Sequence, residues 1–346
     1  MIPEGFPLDR RRAQEILSAL PTRRVAVLGD FHLDVYWHAD MRRARLSRET
    51  PHFARPVVEE RYDPGVGGVI AANLRALGVG TVLAVGACGD DWRGAVLRRR
   101  LEDMGVALDA FRAIPGRVTP TYAKPMIHGY ESVQEDPRLD FEDRRDLSAE
   151  DEARLVADLR RLVPEVDGIA VIDQIEEETG GTVSPRVRDE LAAIGDERPT
   201  LPVLADSRAR IGAFRSVLVK VNRMELAAAL EREMSPDRER VFRQAAELSA
   251  RTGRPVLVSL GAGGMCYATT AERGEVPAVP VSGPIDPVGA GDAASAGIVS
   301  ALACGASLAE AAAFGNLVAS VTVRKIGVTG TASPSEILGE FEERPC

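Results

Sequence analysis

Asp286-Pro287-Val288-Gly289-Ala290-Gly291-Asp292 runs straight into a small-residue apolar segment, Ala293 to Ala303. Glycines at 289 and 291 let the backbone turn tightly and aim N–H groups outward, and the segment that follows reads as a helix whose positive N-terminal end faces the same spot. Such a corner can hold a phosphate. Asp292, in the first turn beside it, is placed to accept a proton from a hydroxyl that attacks the phosphate, the positioned base that phosphoryl transfer needs. Taken alone, Gly-Ala-Gly-Asp is equally compatible with an ordinary loop and helix start, where Asp and Gly are both common.

Elements that could carry this corner follow an α/β order. Residues 9 to 20 read as an amphipathic helix, and Val25-Ala26-Val27-Leu28 as a short buried strand ending at Gly29-Asp30. Further buried-strand candidates are Thr81 to Val85, Gly168 to Ile172, Leu201 to Ala205, Val217 to Val221 and Val256 to Leu260. Helix-like stretches lie between most of them: Val69 to Leu77, Gly94 to Met104, Ala149 to Leu162, Pro185 to Ile194, Glu225 to Glu231 and Arg238 to Thr252. Apolar strands alternating with helices imply a parallel sheet covered on both faces. Ligands of such sheets sit beyond the carboxyl ends of the strands, where Gly29-Asp30, Asp173, Asp206, Asn222 and Gly261 fall.

Two regions break the alternation. Residues 35–62 and 118–141 mix Tyr, Trp, Thr and Val with polar residues and prolines, and they read as exposed strands forming a small lid inserted into a single body. Long surface loops are the alternative reading.

Composition narrows the class. A chain of 346 residues with 45% hydrophobic content buries a sizeable core, and a formal net charge of -9 argues against general attraction to nucleic acid or anionic membrane. Arg10-Arg11-Arg12 and Arg98-Arg99-Arg100 read as solvated helix faces. Cysteines 88, 266, 304 and 346 have neither metal-ligand spacing nor the density of a disulfide framework, so free thiols in a reducing cytosol are expected. The charged N-terminus lacks a signal peptide's apolar core, and no apolar run approaches a membrane span. A cytoplasmic enzyme is the expectation. Gly261-Ala262-Gly263-Gly264 does not follow the dinucleotide-binding pattern, and no Walker loop is present. His32, His38, His52 and His128 lack metal-site pairing and are expected at the surface or in the lid. Arg208 and Arg210 could meet a substrate phosphate or be solvated loop residues, and Glu176-Glu177-Glu178 reads as a charged loop.

Several motifs then occur in one order: Gly29-Asp30 with Asp34, the Gly-rich turn Gly65 to Gly68, Asn222-Arg223-Met224-Glu225, Ser259-Leu260-Gly261-Ala262-Gly263-Gly264, and the terminal Gly-Ala-Gly-Asp. Over residues 24–338 the chain resembles the ribokinase-like, or PfkB, carbohydrate kinases. Within them it is similar to the kinases of heptose 7-phosphate, through Gly29-Asp30-Phe31-His32-Leu33-Asp34-Val35-Tyr36-Trp37, Ser47-Arg48-Glu49-Thr50-Pro51 and Arg138-Leu139-Asp140-Phe141-Glu142. No nucleotidyltransferase module follows, which leads to the expectation of a stand-alone kinase.

The resemblance implies a three-layer αβα sandwich with a mostly parallel central sheet and a small β lid, and an ATP-dependent sugar or sugar-phosphate kinase. It implies that Asp292 is the base and that the N–H groups of Gly289, Ala290 and Gly291 stabilise the transferring phosphoryl. Asp30, Asp34, Gly65, Gly67, Gly68 and Arg138 would meet the sugar, and Asn222, Glu225, Ser259, Gly261, Gly264 and Asn316 the nucleotide. Glu225 would place Mg²⁺ through water. From the residues alone, Asn222 and Glu225 are equally a helix cap with a first-turn acid. Val66 and Val69 depart from the pattern, standing where a second Gly and a sugar-binding Asn are usual; Gly67-Gly68 could instead mark a shifted turn. Pro287 and Val288 stand where threonines are common. The resemblance further implies a homodimer joined through the lid. Open alternatives are a related kinase for ribose, fructose or a nucleoside, and a degenerate scaffold that binds nucleotide or sugar without turnover.

Overall fold

A computed structural model describes residues 2–177 and 179–342, so Glu178 and Cys346 lie outside the described residues. Its main sheet has nine strands. From one edge to the other these are Arg273–Val276, Met265–Ala268, Val256–Ser259, Leu218–Asn222, Val203–Ser207, Gly168–Asp173, Arg24–Gly29, Thr81–Gly89 and Val106–Ile114. All neighbours pair in parallel except Met265–Ala268, which is antiparallel to both Val256–Ser259 and Arg273–Val276.

Strand Arg24–Gly29 shows why both faces must be covered. Side chains alternate across a strand, so Val25 and Val27 enter one apolar cluster while Ala26 and Leu28 enter the other. Helices Arg10–Ala19, Gly67–Leu77, Ala290–Ala303 and Leu308–Thr322 supply the first cluster. Ala149–Leu162, Pro185–Glu197 and Arg238–Thr252 supply the second. The result is a mostly parallel sheet covered on both faces, as the alternation implied, in the three-layer sandwich that the resemblance implied.

A second sheet stands on the carboxyl-end side of this body. Phe31–Asp40 lies at its centre, antiparallel to Val57–Val66 and parallel to Thr121–His128, which in turn pairs with Val133–Glu135 and Leu139–Phe141. Its first strand starts at Phe31, earlier than position 35, because only Asp30 separates it from strand Arg24–Gly29. One end of Phe31–Asp40 is therefore core, with Phe31 and Leu33 fully buried, while the sheet's outer strands expose Val57, Val58, Val133 and Leu139.

Candidate active site

Helix Ala290–Ala303 begins at Gly289, whose φ of 77° lies in the left-handed region. That conformation suits glycine, and a Cβ there would also stand 2.7 Å from Thr329 Cγ2. No acceptor among the described residues takes the N–H of Gly289 or Gly291, whereas the N–H of Ala290 donates to Pro287 O at 3.1 Å. Two of the three donors expected at this corner are thus free. The third is corrected: Ala290 closes the turn.

Asp292 sits in the first helical turn, half-buried and without an ion pair among the described residues. Burial pushes its carboxyl up to about 7; Asp206 adds to the rise, and Lys220 and Arg208 oppose it. A base poised near neutrality accepts a proton more readily than an ordinary carboxylate would. Below it Lys220, almost fully buried, is paired with Asp206, which also accepts from Ser295 Oγ at 3.1 Å. Lys220 Nζ lies 3.7 Å from where a Cβ on Gly291 would be. A buried cation beneath this helix start is a candidate feature that the sequence reading missed. Its signal was a lone lysine two positions before Asn222 in an otherwise apolar strand.

Across the cleft, strand Phe31–Asp40 brings in Asp34. Its Oδ2 accepts from Lys124 Nζ at 3.3 Å, and Lys124 also donates to Tyr36 Oη at 3.2 Å. Its Oδ1 is buried without a hydrogen-bond partner among the described residues. Burial raises the Asp34 carboxyl and Lys124 restrains the rise. A buried acceptor left empty costs on the order of 1–3 kcal/mol, so this oxygen is set to take a hydroxyl. Asp34 is among the charges that act on Asp292.

Gly65, Gly67 and Gly68 are close-approach positions. A Cβ on Gly65 would stand 3.2 Å from Asp34 Oδ1; one on Gly67 would meet Asp30 O at 2.8 Å, and one on Gly68 would meet Pro64 Cβ at 2.3 Å. Between them Val66 adopts φ 56°, an uncommon conformation for a β-branched residue and a local strain on the order of 1–3 kcal/mol. Val69 is buried in the following helix, and its Cγ1 lies 3.5 Å from a Cβ built on Gly289. An apolar side chain thus borders the phosphate corner.

Asp30 corrects the expected sugar contact. Its Oδ2 accepts from the N–H groups of Gln174 and Ile175, and its Oδ1 from Thr182 N at 2.8 Å. Buried and fully used, it ties the loop after Gly168–Asp173 to the first strand. Arg210 likewise belongs to the fold, paired with the buried Asp173. Arg208 differs: it reaches toward Gln174, whose side-chain oxygen is assigned to face it, and it acts electrostatically on both Asp292 and His32.

On the nucleotide side, Asn222 caps helix Arg223–Ala229 by accepting from Met224 N and Glu225 N, and Glu225 Oε2 accepts from Asn222 N at 2.7 Å. This is the capping box that the alternative reading anticipated. Glu225 Oε1 takes no hydrogen bond among the described residues, and burial raises the Glu225 carboxyl. Ser259 donates to Val221 O, and the Asn316 amide donates to the carbonyls of Val276 and Pro277, so both also brace backbone. Gly261 is exposed with φ 61°, and a Cβ on Gly264 would collide with Val276 O at 2.2 Å. The two glycines shape the loop after Val256–Ser259.

Arg138 is doubly hydrogen-bonded to Asp140 and stacks 4.0 Å over the Tyr122 ring. Both residues line a cavity of about 220 Å³ with His32, Gln174 and Arg208. His32 lies on a lid strand, one of the two places expected for it, yet only 2% of it is exposed, and both ring nitrogens lack partners among the described residues. Burial lowers its pKa to about 4, helped by Arg208 and Arg138, which leaves a neutral ring. His38 and His128 face each other across two lid strands at 2.7 Å. Among the described residues no group of three or more His, Cys, Asp or Glu could hold a metal ion, and no helix is long and apolar enough to cross a membrane.

Residues 207–335 match the model of the pfkB family of carbohydrate kinases. The bifunctional protein HldE of Geobacter metallireducens is 28% identical over 346 aligned residues, covering 96% of this chain and 66% of that protein. HldE of Alkalilimnicola ehrlichii is 31% identical, covering 93% of this chain and 64% of that protein. The chain thus spans about two thirds of the length of these relatives. Among solved structures, phosphofructokinase-2 from Escherichia coli in complex with potassium superposes with a TM-score of 0.70 at 20% identity, covering 92% of this chain and 98% of that one. Arabidopsis thaliana ribokinase complexed with ribose and ATP gives 0.68 at 18% identity, covering 93% and 99%.

Proposed function

From the pfkB-family carbohydrate kinase domain that this chain carries, we propose that it transfers the γ-phosphoryl of ATP to a hydroxyl of a sugar or sugar phosphate held between Asp34 and Asp292. The observation that carries the reading is the Asp292 carboxyl, raised to about 7 in the first turn of a helix whose free N–H groups and buried Lys220 supply positive potential. Asp34 Oδ1 orients the acceptor hydroxyl and Asp292 takes its proton. The acceptor oxygen then bonds to the γ-phosphorus as the bond to the bridging β–γ oxygen breaks, and ADP leaves. The N–H groups of Gly289 and Gly291 meet the charge on the phosphoryl oxygens. Asn222, Ser259, Gly261, Gly264 and Asn316 border the nucleotide, and the lid strands shield the reaction from water.

Mg²⁺ fits this set as a hydrated ion shared with the nucleotide phosphates. Glu225 Oε1 is the unspent oxygen that would hold one of its waters, and the ion would offset phosphate charge. Resemblance to the heptose 7-phosphate kinases, and similarity to HldE, support a heptose phosphate as acceptor. Exposed Leu46, Phe53, Val57, Val58 and Leu139 on the lid support a homodimer joined there; a solution mass equal to one chain would remove that element. The deciding experiment is ADP release from MgATP with a panel of free and phosphorylated pentoses, hexoses and heptoses. Turnover with a heptose phosphate far above the others is expected. Ligand-induced thermal stabilisation without ADP from any sugar would replace the kinase with a binding scaffold, a reading that the apolar Val69 beside Gly289 would then favour.

A further inference from the structure

The cavity beside the acceptor cleft contains a polar side chain that the reaction does not use. His32 is enclosed, neutral, and unpaired at both ring nitrogens among the described residues. It stands two positions before Asp34 on strand Phe31–Asp40, so the two side chains share a face. Arg138 acts electrostatically on both of them, and Arg208 on both His32 and Asp292, so the cavity lies within electrostatic range of the two carboxylates.

Charge in the lining tells what kind of group belongs there. Arg138 is bound to Asp140, Arg144 to Glu142 and Arg208 to Glu176, and further carboxylates in the lining leave no positive excess to hold a phosphate. Carboxylates accept and guanidiniums donate, so paired lining of this kind suits hydroxyls, which do both. A neutral imidazole has the same double character, one nitrogen donating and the other accepting. Tyr122, edge-on to His32 at 5.0 Å between ring centroids, adds a hydroxyl whose ionisation burial makes harder.

We propose that this cavity receives the hydroxyl-rich carbon chain of the acceptor beyond its reacting carbon, and that His32 selects long acceptors by bonding two of those hydroxyls. The proposal rests on the kinase reading and adds the substrate class: an acceptor with a run of hydroxyls longer than a pentose offers, any phosphate it carries lying outside this cavity. Recognition by buried polar groups discriminates through the bonds left unmade when the matching hydroxyl is missing.

His32→Leu removes both nitrogens while keeping apolar bulk, and His32→Gln retains one donor and one acceptor. In the ADP-release assay His32→Leu is expected to raise KM for the longest accepted sugar on the order of 10- to 100-fold, with kcat changed by no more than about threefold and the pentose KM unaltered. His32→Gln should recover part of the loss. Deoxy acceptors lacking one distal hydroxyl, tested on the unsubstituted chain, should reproduce it without any change to the protein. Equal KM shifts at every chain length, no shift at all, or a loss that follows the acceptor's phosphate would overturn the proposal. Titration calorimetry of the same sugars into Asp292→Asn protein, with and without His32→Leu, separates it from the kinase reading. If no sugar yields ADP, the kinase reading fails, and length-dependent weakening of binding still supports the cavity assignment; length-independent binding or no binding overturns it.

Discussion

Asp34 and Asp292 are two carboxylates raised by burial on the two walls of the proposed acceptor site, yet their surroundings fit them for different work. Asp34 comes from a lid strand and is half-satisfied: Lys124 holds one oxygen and nothing among the described residues holds the other. Asp292 comes from a helix start in the main body and has no cation in contact, only the buried Lys220 pair beneath it. A carboxylate fixed by a cation keeps its charge and orients a hydroxyl. One that lacks such a contact and is poised near neutrality can exchange a proton. On the proposed reading, the lid wall positions the acceptor and the wall of the main body takes its proton.

Substituting each wall in turn breaks the comparison most directly. Asp292→Asn keeps shape and removes the base, so kcat is expected to fall on the order of a thousandfold or more while MgATP binding stays within about threefold. Stopped-flow or steady-state ADP release together with nucleotide titration measures both quantities. Near-native turnover would take Asp292 out of the mechanism. Asp34→Asn should act in the other column, raising acceptor KM on the order of 10- to 100-fold with a smaller change in kcat, because an orienting acceptor is used in the ground state as well as in the transition state. A fall in kcat matching that of Asp292→Asn would erase the division of labour.

The same contrast explains what was legible in the sequence. Strands of the main sheet are continuous apolar runs between Gly, Asp and Asn, and Val25 to Leu28, Gly168 to Ile172 and Val256 to Leu260 fall on or within one residue of observed strands. Val106–Ile114 and the hairpin Met265–Ala268 with Arg273–Val276 were not anticipated: the two edge strands Val106–Ile114 and Arg273–Val276 mix apolar and polar residues, and Met265–Ala268 is only four residues long. Helix Leu308–Thr322 was missed for the opposite reason: small apolar residues almost all round it leave no polar face to mark the turn.

Site residues divide along similar lines. Gly289, Gly291 and Asp292 were singled out because their types are unusual together, and they share one helix start. Asp30 and Ala290 were assigned to ligands because nothing in a sequence shows that Asp30 already accepts three N–H groups or that Ala290 donates to Pro287. Lys220 and His32 went unused because a charged or titratable residue inside an apolar strand acquires meaning only from its burial and from what stands opposite. Asp206 meets Lys220 through the register of adjacent strands, and Arg138 and Arg208, which act on His32, lie far from it in the chain.

The smallest expected effect is the sharpest test of the electrostatic half of the comparison, and it couples activity to stability. The Asp292 carboxyl lies at about 7 in the folded chain and near its ordinary 3.8 when unfolded, so the folded state binds the extra proton between those values. Stability contributed by that proton is present below about pH 4 and is lost as pH rises toward 7, because stability falls with pH wherever the folded state holds more protons. Activity runs the opposite way, since the base must be ionised: kcat/KM should climb through about pH 7 and then level. Asp292→Asn removes the ionisation and with it the cost, so its melting temperature should match the parent near pH 4 and exceed it by about 2–4 °C near pH 8. Differential scanning fluorimetry across that range measures the gap. A gap that is constant with pH would mean that Asp292 ionises like an exposed carboxylate, and the main-body wall would lose its claim to a base tuned by burial.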